Sequence, residues 1–316
     1  MNIELLTLCE VNAISGQEGD FEVTVLQHPR YVDVDKCIAC GMCAEKCPKK
    51  VDDEYNQGLI KRKAIYVPYA QAVPLKYAID AESCIYLNKG KCGVCEKFCP
   101  SHAINFKDTE KEIRLHVGSV VLSPGFKPFD PSHLNSLAYG VQPDVVTSLE
   151  FERILSATGP YSGQLLRPSS MHGKKAVGTH PQKIAWLQCV GSRDINRCNN
   201  GYCSSVCCMI AVKQAVMAMD HSKTPLDCAV FYMDMRTQGK DFDRYYQNAQ
   251  ELGVRFIPSR IHTVEEVTGS DDLILRYIGN DGIPQKETFD MVVLSIGLEI
   301  SRETVQLSKK LGIDLN

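Results

Sequence analysis

The sequence predicts an α/β protein, a doubly wound and largely parallel sheet accompanied by a small cysteine-rich module. Three observations predict it. Residues 183–296 alternate apolar strand-like runs with helical periods, the pattern of a mainly parallel sheet. Two cysteine runs, each closed by Cys-Pro, fall between residues 37 and 100 and mark a separate module. At 316 residues the chain is long enough for two domains plus a small insert.

The first run, Cys37, Cys40, Cys43 and Cys47 followed by Pro48, reads C-x2-C-x2-C-x3-C-P. That is the ligand run of a bacterial-type [4Fe–4S] ferredoxin. The second comprises Cys84, Cys92, Cys95 and Cys99, followed by Pro100, with seven residues rather than two after Cys84. Three thiolates at three-residue intervals cap three irons of one cubane, and the fourth, turned away by proline, ligates the other cluster. Cluster one is therefore assigned to Cys37, Cys40, Cys43 and Cys99, and cluster two to Cys84, Cys92, Cys95 and Cys47. The extra residues Asn88–Lys91 are expected to bulge out as a loop. The competing reading is a pair of structural zinc sites, which also use C-x2-C pairs.

Composition bounds the function. With 44% hydrophobic and 23% charged residues the chain is an ordinary globular sequence. A net charge of −3 argues against nucleic acid or anionic lipid as principal partner. The basic stretch Lys61-Arg62-Lys63 reads as a solvated loop. No run approaches the roughly 18–20 apolar residues of a membrane span, and the N-terminus, with Glu4, Glu10 and Glu18, is not a signal peptide. Twelve of the fifteen cysteines are spaced as ligands rather than disulfides, which points to a reducing, anaerobic cytoplasm.

In chain order, residues 1–31 hold two alternating runs, Ile3–Val11 and Phe21–Leu26, around a turn at Ser15–Gly19: a hairpin or meander. The ferredoxin module occupies 32–107. Residues 117–122 form an apolar run expected to be a buried strand that ends in the small-residue turn Ser123-Pro124-Gly125. Thr147-Ser148-Leu149-Glu150 is a capping box that starts a helix reaching about Ala157. Residues 161–182, rich in Ser, Gly, Pro and His, read as a linker, and a second α/β domain is expected over 182–316. It begins with a buried strand at Ile184–Gln188 and a helix from Cys203 to about Asp220. Strands at Cys228–Met233, Val254–Pro258, Ile261–Val267, Leu273–Tyr277 and Met291–Ile296 follow, with a helix at Asp241–Leu252.

The strand at Ile184–Gln188 ends where a dinucleotide fold carries its glycine-rich loop. No G-x-G-x-x-G stands there; Cys189, Cys198, Cys203, Cys207 and Cys208 do. Cys203 and Cys207, four apart on one helix face with Cys208 adjacent, would bring three sulfurs together. Cys189 would join them from the strand end, at the positive end of the helix dipole. The site is read as a third iron–sulfur cluster, with structural zinc or a redox-active dithiol as alternatives. This half is not expected to bind NAD(P)H.

These pieces recur together in one family. Pro29-Arg30-Tyr31-Val32-Asp33, the paired octads, Thr147–Arg153, Gln188-Cys189-Val190-Gly191-Ser192-Arg193-Asp194 and Tyr202-Cys203-x3-Cys207-Cys208-Met209 resemble the A subunit of the CoB–CoM heterodisulfide reductase and its bacterial relatives. Those relatives include the A subunit of the quinone-interacting oxidoreductase complex. The resemblance covers nearly the whole chain. It implies a thioredoxin-reductase-like flavoprotein core that binds FAD, with the ferredoxin domain inserted into it. Residues 1–31 and 108–181 would then be parts of the FAD-binding domain.

The family's additional cluster, carried over residue by residue, favours Cys189, Cys203, Cys207 and Cys208 and leaves Cys198 spare. The resemblance also implies that Lys213 approaches the flavin, against a solvent-facing lysine as the alternative. It places Ser123, Gly125 and Gly297 in turns beside the cofactors. The glycine-rich FAD loop that opens family members does not precede Met1-Asn2-Ile3. The chain therefore reads as an internal portion of a longer polypeptide or one piece of a split gene, with FAD expected in the intact protein.

The implied function is electron transfer between FAD and the clusters within a larger complex. Electrons would come from a hydrogenase or formate dehydrogenase partner, and one branch would lead to ferredoxin, the other to a disulfide-reducing or quinone-linked partner. A flavin-free electron carrier and a zinc-stabilised docking scaffold are the rivals. Histidines 28, 102, 116, 133, 172, 180, 221 and 262 show no ligand spacing. Cys9 and Cys228 read as small buried residues.

Overall fold

The computed structural model describes residues 2–171 and 178–315; His172 lies outside them. The chain forms two compact units, residues 1–125 with 300–316, and residues 126–299. This division differs from the expected boundary near residue 181: residues 126–181 belong to the second unit and the C-terminal 17 positions, 300–316, to the first.

The first unit opens with an antiparallel hairpin, β1 (Cys9–Gln17) and β2 (Asp20–Gln27). Its turn is tighter than expected: Ser15, Gly16 and Gln17 are paired strand residues, and Glu18-Gly19 makes the reversal. Gly16 permits this, since at φ 101° a Cβ would fall 2.2 Å from the Asp20 carbonyl oxygen.

The module departs after β2. It holds α1 (Met42–Lys46), the hairpin β3 (Lys50–Asp52) and β4 (Lys61–Lys63), the pair β5 (Ile65–Tyr66) and β6 (Ala78–Ile79), then α2 (Ile85–Lys89) and α3 (Val94–Lys97). Val32 bridges Ile104, and Asp33 N–H donates to Ala103 O at 2.7 Å, so both ends of the module close on each other. The chain then returns as β7 (Lys111–Val117), antiparallel to β2. The module is thus an insertion between two neighbouring strands. Its core is thin: Val32, Ile65, Ile79 and Ala103 with the sulfurs of Cys37, Cys43 and Cys84. A domain this small with so little apolar filling needs a staple.

Three expectations for this unit are corrected. Arg62 is not solvated: its side chain is 8% exposed, bonds Glu54 and Asp80 at 2.9 and 3.2 Å, and stacks 3.8 Å over Tyr66. Asn88–Lys91 is not a loose bulge, because α2 absorbs the extra residues and Gly90 caps it at φ 61°. Residues 117–122 are not a buried strand. β7 ends at Val117, Val121 is 88% exposed, and among the described residues no strand offers 118–122 a ladder.

The second unit starts with β8 (Lys127–Pro128), β9 (Val145–Thr147) and α4 (Ser148–Leu155). The capping box is present: Glu150 N–H donates to Thr147 Oγ1, and Thr147 N–H donates to the Glu150 carboxylate. Residues 161–171 are packed rather than a free linker. Tyr161, Leu165 and Leu166 are buried, and Arg167 bonds the fully buried Asp144 at 2.8 Å. The apolar Leu165-Leu166 pair outweighs the polar composition around it.

There follow β10 (Lys183–Val190), α5 (Ile195–Cys198), α6 (Cys207–His221), β11 (Asp227–Phe231), α7 (Phe242–Glu251) and β12 (Arg255–Ile257). Then come β13 (Val264–Glu266), β14 (Leu273–Ile278), β15 (Pro284–Phe289), β16 (Met291–Ile296) and β17 (Leu298–Glu299), which pairs with β8. The parallel sheet has the order β12-β11-β10-β16-β9. On one face Trp186 meets Phe151 of α4 edge-on at 5.5 Å and donates through Nε1 to Gln214 of α6. On the other, Ala185, Leu187, Phe231 and Leu294 pack with Leu273, Leu275 and Phe289 of an antiparallel β13-β14-β15 sheet.

The sheet is therefore parallel as expected, but not doubly wound by helices. A meander covers its second face. β15, the sequence PQKETF, escaped sequence reading because five of its six residues are not buried. The chain ends in the first unit with α8 (Arg302–Leu311), where Lys310 Nζ reaches Asn12 O of β1.

Candidate iron–sulfur sites

In the module, two cavities collect the cysteines. Cys37, Cys40, Cys43 and Cys99 line one, with Val32, Tyr77 and Ala103. Cys47, Cys84, Cys92 and Cys95 line the other, with Ile65, Ile79 and Tyr86. Each cavity thus draws three sulfurs from one run and one from the other. Among the described residues no three His, Cys, Asp or Glu side chains close on a single ion. The sulfurs instead surround a space.

The backbone around them is shaped for an anionic group. Ala39 and Gly41 beside the first cavity, and Cys92 and Gly93 beside the second, have φ of 55°, 86°, 129° and 84°. Left-handed steps of this kind recur in the nests that bind phosphate and iron–sulfur groups. Lysines fix the loops from outside: Lys76 Nζ donates to Cys37 O at 2.5 Å, and Lys63 Nζ to Cys47 O. Burial pushes the Cys43 thiol up to about 11 and the Cys95 thiol to about 12. Burial also acts on Cys99, but the Ala103 N–H and the Ser101 hydroxyl outweigh it and lower that thiol.

The third cysteine group forms at the carboxyl ends of the parallel strands. Cys189, at φ 61°, is the penultimate residue of β10, and α6 begins with Cys207 and Cys208, all three buried. Cys207 lies within hydrogen-bonding reach of both neighbouring sulfurs, and sharing its one thiol proton with them lowers Cys189 and Cys208 while raising Cys207 itself. Cys203 is not on the helix as expected. Ser205, at φ 62°, breaks the backbone before α6, and Cys203 stands in the preceding loop, accepting the Ser205 N–H at 3.4 Å. It still joins the group through Arg236, which bonds the Cys203 sulfur and whose backbone N–H bonds Cys208. Cys198 lies apart, among Asp194, Arg197 and Arg260.

Three residues of this site were missed by sequence reading. Arg193 bonds the sulfur of Cys189 and pairs with Asp234, which also receives Arg236 Nε at 3.2 Å. Two guanidiniums held by one carboxylate thus flank four thiols. Arg193 follows the glycine turn directly and was a legible candidate; Asp234 and Arg236 are distant in sequence and carried no signal.

A family model described as a 4Fe-4S binding domain matches residues 30–51. The chain is 41% identical over its whole length to the iron–sulfur A subunit of the CoB–CoM heterodisulfide reductase of Methanocaldococcus jannaschii, covering 46% of that protein. It is 42% identical, over 99% of its length, to the corresponding iron–sulfur A subunit, numbered 1, of Methanopyrus kandleri, again covering 46%.

Over nearly all of its length the chain is similar to heterodisulfide reductase A subunits.

It spans about half the length of the curated relatives it matches. A third relative, 41% identical over 99% of the chain, is the A subunit of the H2/formate:CoB–CoM heterodisulfide,ferredoxin reductase of Methanococcus maripaludis, of which 46% is covered.

The residues that the family resemblance attaches to flavin are placed as follows. Ser123 and Gly125 are exposed in the first unit, Gly125 at φ 73° with open space beside it. Gly297, in the second, is buried against the cysteine loop: a Cβ there would lie 2.3 Å from Ser192 Oγ and 2.9 Å from Ser204 Oγ. Close packing within the chain accounts for that glycine. Lys213, on α6, is 47% exposed and bonds Glu152 at 2.5 Å. No helix among the described residues is long and apolar enough to cross a membrane.

Proposed function

We propose that this chain is the electron-carrying portion of a heterodisulfide-reductase-type protein with three [4Fe–4S] clusters. Cluster one is held by Cys37, Cys40, Cys43 and Cys99, and cluster two by Cys47, Cys84, Cys92 and Cys95. The single observation that carries the reading is this exchange of one cysteine between runs, with a separate cavity behind each foursome. Cys189, Cys203, Cys207 and Cys208 hold the third, a reading supported by the approach of Cys189, Cys207 and Cys208 at the β10–α6 junction and by Arg236, which links Cys203 to Cys208.

The clusters supply one-electron chemistry. The chain's own residues supply position, dryness and charge: buried apolar walls in the module, and Arg193 and Arg236 around the third site, against the negative charge a thiolate-bound cluster carries. In the full-length protein FAD is the two-electron partner, with Lys213 approaching its ring; Ser123 and Gly125 of the first unit and Gly297 of the second stand in turns assigned to the cofactors. The second unit takes no nicotinamide nucleotide, because cysteines and arginines occupy the turn that would hold its phosphates.

The protein works in an anaerobic cytoplasm within a complex of heterodisulfide-reductase-type subunits, accepting electrons from a hydrogenase or formate dehydrogenase partner and passing them, by bifurcation, to ferredoxin and to a disulfide-linked branch. The names of the relatives, which mention heterodisulfide, ferredoxin, H2 and formate, support that setting. The test is an anaerobic redox titration followed by electron paramagnetic resonance. Three one-electron centres in residues 1–316 and one flavin per full-length chain are expected. Zinc in place of iron would overturn the reading.

A further inference from the structure

The strand that delivers Cys189 carries an irregularity the cysteines alone do not explain. β10 and β16 run in register with Leu187 opposite Leu294, yet Val190 stands opposite Ile296. Three steps on β10 therefore match two on β16, a β-bulge at Gln188–Cys189. Bulges of this kind re-aim a side chain and cluster beside functional sites.

Gln188 is one of the two residues in that bulge. It is 7% exposed, and neither its Nε2 nor its Oε1 has a hydrogen-bond partner among the described residues. Buried amides are almost always paired, so an orphan at both ends asks for an absent group. Ser295, on the facing strand between Leu294 and Ile296, is fully buried with its hydroxyl equally unpartnered.

The neighbours of Gln188 fix where it lies. Trp186, two residues earlier, donates to Gln214 of α6. Cys189, the next residue, is bonded by Cys207 at the start of that same helix. Gln188 thus stands in the chain between a residue anchored to α6 and the first cysteine of the site.

We infer that Gln188 is a positioning residue of the third cluster, its Nε2–H donating to a sulfur of the group held by Cys189, Cys203, Cys207 and Cys208. This rests on the cluster reading above. The effect has a definite sign. A reduced cluster carries more negative charge on its sulfurs than an oxidised one, so a donor stabilises the reduced form more and raises the potential. Ser295 offers a second donor at the same strand end.

The test uses residues 1–316, reconstituted anaerobically, as wild type, Gln188→Leu and Gln188→Met. Iron is counted first. Each centre is then titrated under electron paramagnetic resonance, with spectra also recorded after exchange into deuterium oxide. In both variants the third centre is expected to titrate at more negative potential and to lose an exchangeable-proton coupling. The two module centres should superimpose on wild type. Unchanged potential and coupling at the third centre, with full iron and higher thermal stability, would overturn the inference: the amide then met only water, and an apolar side chain replaced it without loss. Loss of the third centre from both variants would assign Gln188 to packing and overturn it as well. A wild-type chain with only about eight irons, two cubanes' worth, would instead remove the third cluster itself.

Discussion

Cys47 faces the same cavity as Cys84, although it belongs to the first cysteine run and Cys84 to the second. Cys99 makes the reverse exchange with Cys37. In the proposed assignment the exchange would tie the two halves of the module through its clusters, which matters where the apolar core is so thin.

Single ligand lesions should therefore cross over. Cys47→Ser is expected to remove about four irons and the signal of cluster two, leaving the centre at Cys37, Cys40 and Cys43 intact. Cys99→Ser should do the opposite. Iron analysis with electron paramagnetic resonance checks both. A Cys47→Ser protein that loses cluster one instead would contradict the assignment.

Gly191 and Gly297 hold the loop of the third site in place by lacking side chains. At Gly191, φ is 79° and a Cβ would lie 2.1 Å from the Phe129 ring. Gly191→Ala should cost about 2–4 kcal/mol, from left-handed strain and overpacking together. Gly297→Ala, which meets Ser192 Oγ, should cost about 1–3 kcal/mol and lower occupancy of the third cluster more than that of the module. Denaturant melts and iron counts read the two effects separately.

Glu287 ties β15 to the parallel sheet. It accepts from Lys183 at 2.7 Å, Arg255 at 2.9 Å and Tyr277 at 2.7 Å. Burial raises its pKa, but these three donors outweigh burial and hold the carboxyl below the usual glutamate range. A depressed carboxylate stabilises the fold fully above its unfolded pKa of about 4.3 and loses that stabilisation as pH falls through the lower folded value. Glu287→Gln should therefore destabilise by about 1–3 kcal/mol at pH 7, and the gap should close below about pH 4. Urea melts at several pH values would show it.

Lys213 and Glu152 are both well exposed, so breaking their pair should change stability by less than about 1 kcal/mol. In the full-length, flavin-loaded protein, Lys213→Met is expected to lower the flavin potential, because a positive charge that favours the reduced ring is lost. An unchanged flavin potential would leave Lys213 a surface lysine.

Much of this was legible in the sequence where local chemistry decides. The octads, the capping box at Thr147 and the strand at Met291–Ile296 follow from spacing, side-chain hydrogen bonding and an unbroken apolar run. What was not legible depends on partners far along the chain. Val120–Leu122 has strand composition and no ladder. Arg62 is buried because Glu54, Asp80 and Tyr66 surround it. Cys203 leaves the helix because the backbone turns at Ser205, which spacing alone does not reveal. The meander covers the second face of the sheet with a strand, PQKETF, whose polarity hides it.

The central claim is that twelve of the fifteen cysteines hold three clusters. Iron, acid-labile sulfide and zinc counted on one anaerobically reconstituted sample of residues 1–316 test it most directly. About twelve irons and twelve sulfides per chain, without zinc, is the predicted result. About eight of each would confine the clusters to the module and contradict the site at Cys189, Cys203, Cys207 and Cys208.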